Sequence, residues 1–319
     1  MGLQFIRGLL LFFGSLAISA AFLAAIPASH RPRPEPDYRN HYAPVASNLL
    51  AGKGLLENNG SPAMTYPPGQ SLFLIGSFFL ADRLGVNRDA MAIAFGMVLY
   101  AATVVIAGYW AARVWTGWRA GAATFLWAIY PLGLWLAPLC GSEVPYVFFL
   151  LGGALLFWIG GCEEQIACGP LFLSGICVGA AMITRPIAMP VPLILAAILL
   201  GFSRKQPWQL TARALGSFLL AVAVMVVPWE AWMYAQSGKV LPLSANGPST
   251  IFAGLVFGKQ TNPDQAPIAM PADVDAMMTD MLTKRRNGEV ERAGAAELGH
   301  DQGQQPALSA PARRPVPPG

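Results

Sequence analysis

DYRNHYAPVASNLLAGKG, residues 37–54, follows closely on an apolar stretch, Phe5–Ile26, that is long enough to cross a bilayer. Ala43, Ala46, Leu49 and Leu50 recur at helical spacing after Tyr42, and Gly52 and Gly54 supply a stop. A polar turn, ENNGSP (57–62), then leads through Tyr66-Pro67-Pro68-Gly69 into a second apolar run over residues 69–85. The paired prolines and the glycine fix the chain direction at the start of that run. The run is short for a span and carries Asp82 and Arg83, so it reads as a helix lying at the interface. The whole segment therefore reads as an ordered helix–turn–helix on a membrane surface rather than a floppy connector.

The rest of the chain agrees with a membrane setting. Of its 319 residues 55% are hydrophobic and only 12% are charged, too few to cover a soluble surface. Mean hydropathy is +0.47. The net charge of +4 comes from Lys and Arg scattered along the chain, with no basic run interleaved with aromatics, so nothing supports nucleic-acid binding. The basic excess suits loop ends that touch anionic lipid. Cys140, Cys162, Cys168 and Cys177 form no CxxC pair, and no Cys/His group has metal-ligand spacing. These cysteines read as small hydrophobes in or beside helices.

Seven spans are expected: Phe5–Ile26, then 89–112, 119–137, 143–160, 169–184, 186–202 and 211–233, each close to the roughly 20 residues a bilayer requires. The fold class is an all-α polytopic membrane protein with interfacial helices in the first outer loop, residues 27–88. Pro186, Pro190 and Pro192 break the pattern between the fifth and sixth spans. Arg7, Arg113, Arg119, Arg204, Lys205 and Arg213 fall on one side if the N-terminus is cytoplasmic. Loop 27–88, Ser142-Glu143, Arg185 and everything after Tyr234 then lie on the outer side of a cell inner membrane. Residues 1–235 are read as the bundle and 236–299 as an outer polar segment. Within that segment ADVDAMMTDML (272–282) has the spacing of an amphipathic helix. The Gln-, Ala- and Pro-rich tail 300–319 is read as disordered.

Chemistry is to be sought where polar groups recur at one membrane face. Asp37 is either a solvated loop acid or a carboxylate that takes a proton from a hydroxyl. Glu143 is either a favourable charge at a helix start capped by Ser142 or part of a site. Arg185, between two spans, either snorkels to the interface or binds a lipid phosphate. His30, His41 and His300 have no metal partners at useful spacing and read as solvated. No Walker loop, GxGxxG, GxSxG or HExxH motif is present.

Four phrases in order, DYRNHYAPVASNLLAGKGL with YPPGQSLFL, GSEVPYVFFLL, ITRPIAMPVPLIL and VPWEAWMYAQSGKVLPLSANGPSTIFAGL, give the chain a family likeness. Together they resemble bacterial membrane glycosyltransferases related to the dolichyl-phosphate-mannose–protein mannosyltransferases, over roughly residues 1–260. The resemblance implies a type C glycosyltransferase fold, a polyprenyl-phosphate-linked sugar donor, an acceptor that is a lipid, glycan or protein, and inversion at the sugar carbon. It implies Asp37 as the base or acceptor-orienting residue. It further implies Arg185 as a contact to the donor phosphate, with Glu143, Tyr66 and Tyr42 lining the cavity. It demands no cofactor beyond a divalent cation in some branches. Three departures stand out. Tyr38 occupies the place of a second acid, Tyr66 replaces a lysine before the paired prolines, and Asp37 precedes Tyr42 by five residues where helical register expects four. The chain is also shorter than the family, so an inactive truncated fragment is the chief alternative. A transporter or flippase is a weaker one, because no inverted repeats and no broken helices with mid-membrane ionisable residues are visible.

Overall fold

The computed structural model describes residues 2–162, 166–203 and 206–245, with side chains from residue 5 onward. The amphipathic stretch 272–282 and the tail 300–319 lie outside the described residues. All described residues belong to one compact unit within Met1–Thr250. It is all-helical, with no strand among the described residues.

Among the described residues ten α-helices follow one another: α1 Gly2–Ala25, α2 Ala43–Leu50, α3 Gly69–Leu84, α4 Arg88–Val114, α5 Trp118–Ala128, α6 Pro131–Leu136, α7 Glu143–Phe157, α8 Cys168–Thr184, α9 Val191–Phe202 and α10 Trp208–Ser237. Five of the described segments are long and apolar enough to cross a membrane: Phe5–Ala25, Arg88–Val114, Trp118–Leu139, Glu143–Cys162 and Trp208–Ser237. Large apolar side chains such as Leu10, Leu193 and Leu220 are exposed along α1, α9 and α10, as in a bundle that meets lipid. The chain is a polytopic membrane protein on these grounds.

Two of the expected spans, α8 and the Pro186–Phe202 segment, are apolar helices of 10–17 residues and fall short of that length. The third expected span, 119–137, is interrupted rather than continuous. The helix stops at Ala128, and Pro131 starts a new one, because proline cannot donate into the preceding turn. No charged side chain sits at that break, which holds Ile129 and Tyr130. The fourth span runs past Phe157 through a π-helical turn, Trp158–Cys162.

Helix α8 is the centre of the bundle, buried from Val178 through Thr184. Gly175 and Gly179 form a small-xxx-small pair facing α10. A side chain at Gly175 would collide with the Phe218 carbonyl and the Ala221 methyl, and one at Gly179 with Met225. The two backbones approach as closely as glycines allow, which is how helices associate without a hydrophobic drive in lipid. On its other face Ser174 Oγ donates to the Gly153 carbonyl of α7 at 2.7 Å. Around this crossing the main core gathers Phe157, Leu171, Val178, Phe218 and Trp229.

The segment after α10 folds back instead of leaving the bundle. Gly238 and then Leu243 take left-handed backbone conformations. Leu243 is buried, its N–H donates to Glu230 Oε1 at 2.7 Å, and Trp229 Nε1 donates to its carbonyl at 2.9 Å. Ala245 N–H donates to the Met64 carbonyl at 2.9 Å. The bundle therefore extends beyond residue 235, the expected boundary, to at least Ala245.

Gly175→Leu should force α8 and α10 apart and destabilise the fold by about 1–3 kcal/mol, the usual range for overpacking. Gly216→Ala, in α10 with open space around its α-carbon, should be neutral or stabilising by up to about 1 kcal/mol. Thermal unfolding of the two variants in detergent compares them directly.

Candidate functional site

The residues of interest meet at the end of the bundle that carries the first loop. Helix α7 begins there with Glu143, and α8 ends there with Thr184. Arg185 follows in extended backbone, φ −143° and ψ 122°, because Pro186 excludes the helical conformation from the residue before it. Its guanidinium Nη1 pairs with Glu143 Oε1. Both side chains are about a third exposed, so the pair borders open space.

The first loop docks onto this pair. Glu35 N–H donates to the Leu139 carbonyl at 3.0 Å, holding the loop against the turn before α7. Cys140 in that turn is left-handed, φ 59°, and Gly141 follows. Any side chain at Gly141 would overlap the carboxylates of both Glu35 and Glu143, so the two acids crowd one point above that glycine. Burial, with the charges of Glu143 and then Asp37, pushes the Glu35 carboxyl up to about 7, while Arg185 pulls the other way. One carboxyl thus feels all the other charges. Glu35 was not among the residues singled out from sequence. It sits in a Pro-rich stretch, RPRPEP, with no motif to mark it.

Asp37 leads into a π-helical turn, Tyr38–Tyr42, which continues directly as α2. The spacing of five between Asp37 and Tyr42 is the spacing of a π turn, so the extra residue is absorbed with both residues at the site. Burial, then the charge of Asp37 and a hydrogen bond to it, pushes the Tyr66 hydroxyl up to about 12. Tyr42 is raised chiefly by burial, partly offset by a hydrogen bond with Ser142. Ser142 occupies the N-cap position of α7, but its side chain makes no capping bond. The expected Ser142 cap is thus absent, its hydroxyl being engaged with Tyr42. Tyr38, where the resemblance alone would lead one to expect an acid, is buried and donates to Asp89 Oδ1 at 2.7 Å, at the start of α4. It anchors the π turn instead of facing the site.

The structure brings together all five residues singled out from sequence, Asp37, Tyr42, Tyr66, Glu143 and Arg185, and adds Glu35 and Ser142. Among the described residues no group of three or more His, Cys, Asp or Glu side chains is arranged to hold a metal ion. The counter-charge to the paired acids is Arg185. Beside the cluster, Tyr66 contacts His41 edge-on, ring centroids 4.9 Å apart, and Tyr42 at 5.4 Å. The arrangement can accept a proton at a carboxylate, oppose an anion with a guanidinium and present aromatic surface between them.

No family model, no curated protein and no solved structure matches the chain.

Two consequences can be measured. Between about pH 4.5 and 7 the folded chain keeps a proton on Glu35 that the unfolded chain has lost. Stability from this group therefore declines as pH rises through that window. Glu35→Gln removes the effect, so its melting temperature relative to the parent should be level at the acid end, climb through the window and stay flat above it. Tyr38→Phe loses the bond to Asp89 and should lower stability by about 1–3 kcal/mol in denaturant or thermal unfolding.

Proposed function

We propose that the chain is a membrane glycosyltransferase that moves a sugar, with inversion, from a polyprenyl-phosphate donor to a hydroxyl-bearing lipid, glycan or protein at the outer face of the membrane. The convergence of Asp37, Glu35, Glu143 and Arg185 with Tyr66 at one end of the bundle carries this reading. A transporter would place its ionisable groups near mid-membrane; here they gather at helix ends.

The reading uses seven crossings with a cytoplasmic N-terminus, in a type C glycosyltransferase architecture. Arg185, just after α8, pairs with Glu143 at the start of α7, so α8 returns over the length that α7 has travelled. The next helix, α9, sets out from the Arg185 end, and Leu199 reaches Gly161 near the opposite end. Both helices therefore run the depth of the bundle, although α8 has only 17 residues and α9 only 12. At 1.5 Å per residue the 17 residues of α8 cover about 26 Å, enough for a thin hydrocarbon core.

In the reaction the acceptor oxygen attacks the anomeric carbon while its proton passes to the Asp37 carboxylate. The bond from that carbon to the phosphate oxygen breaks, and polyprenyl phosphate departs with the electron pair. Arg185 opposes the charge gathering on the phosphate, an interaction that strengthens as the leaving group forms. Glu143 fixes the guanidinium through one nitrogen and leaves its other donors open. A Glu35 carboxyl near 7 is partly neutral at physiological pH, which lessens the repulsion an anionic donor would meet.

Transfer measured in proteoliposomes with a polyprenyl-phosphate sugar should fall at least about a hundredfold in Asp37→Asn, since a general base contributes 10²–10⁴. Undiminished transfer would remove Asp37 from the chemistry. Arg185→Ala should raise the KM for the lipid donor more than it changes the KM for the acceptor; an unaltered donor KM would return Arg185 to a structural role.

A further inference from the structure

Helix α3 lies along the rim of the bundle that carries the candidate site. Its first residue, Gly69, rests on the Ile183 carbonyl and Thr184 Oγ1 at the end of α8, and its last turn leads through Gly85 into Arg88, the first residue of α4. Its 16 residues cover about 24 Å between those two points. The far end is fastened to the first loop, since Arg88 Nη1 donates to Ser47 Oγ of α2 at 3.2 Å and Tyr38 donates to Asp89.

One face of this helix has a protein partner and the other has none. Leu74 and Phe78 are buried in a cluster with Tyr38, Tyr42 and Ala92. The opposite face repeats at 72, 76, 79, 80, 83 and 84, the spacing of a single helical stripe, and every one of these positions is exposed. Leu72, Phe79, Leu80 and Leu84 supply the stripe, Phe79 at 53% and Leu84 at 61% exposure. A continuous apolar stripe of this kind calls for a partner. The helix is too short to span a bilayer, and with Asp82 and Arg83 it suits the interface.

Charge selects the partner. Arg83 is the one cation on the stripe, and its guanidinium lies over the Phe79 ring, 5.1 Å from the centroid. Asp82, next to it in sequence, is taken up by Arg88 through two bonds of 2.6 and 2.8 Å. Among the described residues Arg83 belongs to no ion pair. Arg39 and Lys53 of the same loop are exposed as well. A second copy docked by twofold symmetry would set two cationic stripes face to face, with no acid on either to meet the charge. An anionic headgroup meets it directly, since the guanidinium fork matches a phosphate and the apolar side chains beside it enter the acyl boundary. We propose that this stripe docks on anionic phospholipid, with Leu72, Phe79, Leu80 and Leu84 sunk into the leaflet at that end of the bundle and Arg83 holding a headgroup phosphate. Tyr66 stands three residues before Gly69, so the same contact sets the candidate site at headgroup depth. The inference rests on the membrane architecture and is independent of the transfer chemistry.

The test places a photoreactive benzophenone amino acid at Leu80 or Leu84 of the full chain, in nanodiscs of equal parts phosphatidylglycerol and phosphatidylcholine with matched acyl chains. After irradiation, mass spectrometry should find phospholipid adducts at both positions, with phosphatidylglycerol in excess. Arg83→Gln should lower the phosphatidylglycerol-to-phosphatidylcholine ratio about fivefold, the factor expected of one basic residue at an anionic surface. Arg7→Gln, at the opposite end of α1, should leave the ratio unchanged, and the melting temperature of each variant checks its fold. Cross-links to a second copy in place of lipid, no adduct at either position, equal capture of the two lipids, or an unmoved ratio in folded Arg83→Gln would overturn the proposal. No readout involves sugar transfer, so this docking surface and the transferase reading stand or fall separately.

Discussion

The close approach of α8 to its neighbours is the constraint on which the rest of the molecule depends. Gly175 and Gly179 let it lie against the α10 backbone, and Ser174 ties it to α7. With its position set, its C-terminal end has little freedom. That end delivers Arg185 to Glu143. It also receives α3, because Gly69 is so close to the Ile183 carbonyl and Thr184 Oγ1 that even a methyl would clash. Tyr66 stands three residues before Gly69, so the helix that presents the guanidinium also locates the aromatic wall. A site assembled from the first loop and from the middle of the chain thus inherits its geometry from one tightly packed helix.

Charge placement explains why the site stays at the rim. Three carboxylates, Glu35, Asp37 and Glu143, share one guanidinium, an imbalance that would be costly in a dry interior. Partial exposure of Glu143 and Arg185 lets water screen the excess, and Glu35 relieves the remainder by holding its proton to about 7. The ion pair itself contributes little to stability at that exposure. Its effect is positional, since it closes the ends of α7 and α8 together and leaves donors of Arg185 free on the open side.

Much of this was legible in the sequence because it is written in local chemistry. The ends of the long spans, the helix–turn–helix at 43–84, the glycine stops at Gly52 and Gly54 and the break at Arg185-Pro186 all follow from hydropathy, proline and left-handed glycine. Asp37, Glu143 and Arg185 stood out as polar groups at one face. What escaped is written in tertiary contact. Gly175 and Gly179 gain meaning only from the α10 backbone beside them. Glu35 becomes unusual only when Gly141 folds beneath it. The fold-back of residues 239–245 depends on Glu230 and Trp229, which bond a backbone far from them in any helical pattern. The interruption before Pro131 was missed because the hydropathy of 118–139 is continuous while its hydrogen bonding is not.

The spacing of Asp37 and Tyr42 joins these threads. A regular α-helix begun at Asp37 would turn a residue five positions on well away from it, whereas a π turn returns it to the same face. The wider turn is less favourable than α and needs outside support, which Tyr38 supplies through Asp89. Tyr38 is therefore the residue that holds the irregular turn in place. Because Tyr66 meets Asp37 through its hydroxyl and the His41 ring in a tilted contact, the same turn sets both the carboxylate and the aromatic contact beside it. The irregular backbone is thus the part of the loop that keeps the Asp37 carboxylate and the Tyr66 ring in register.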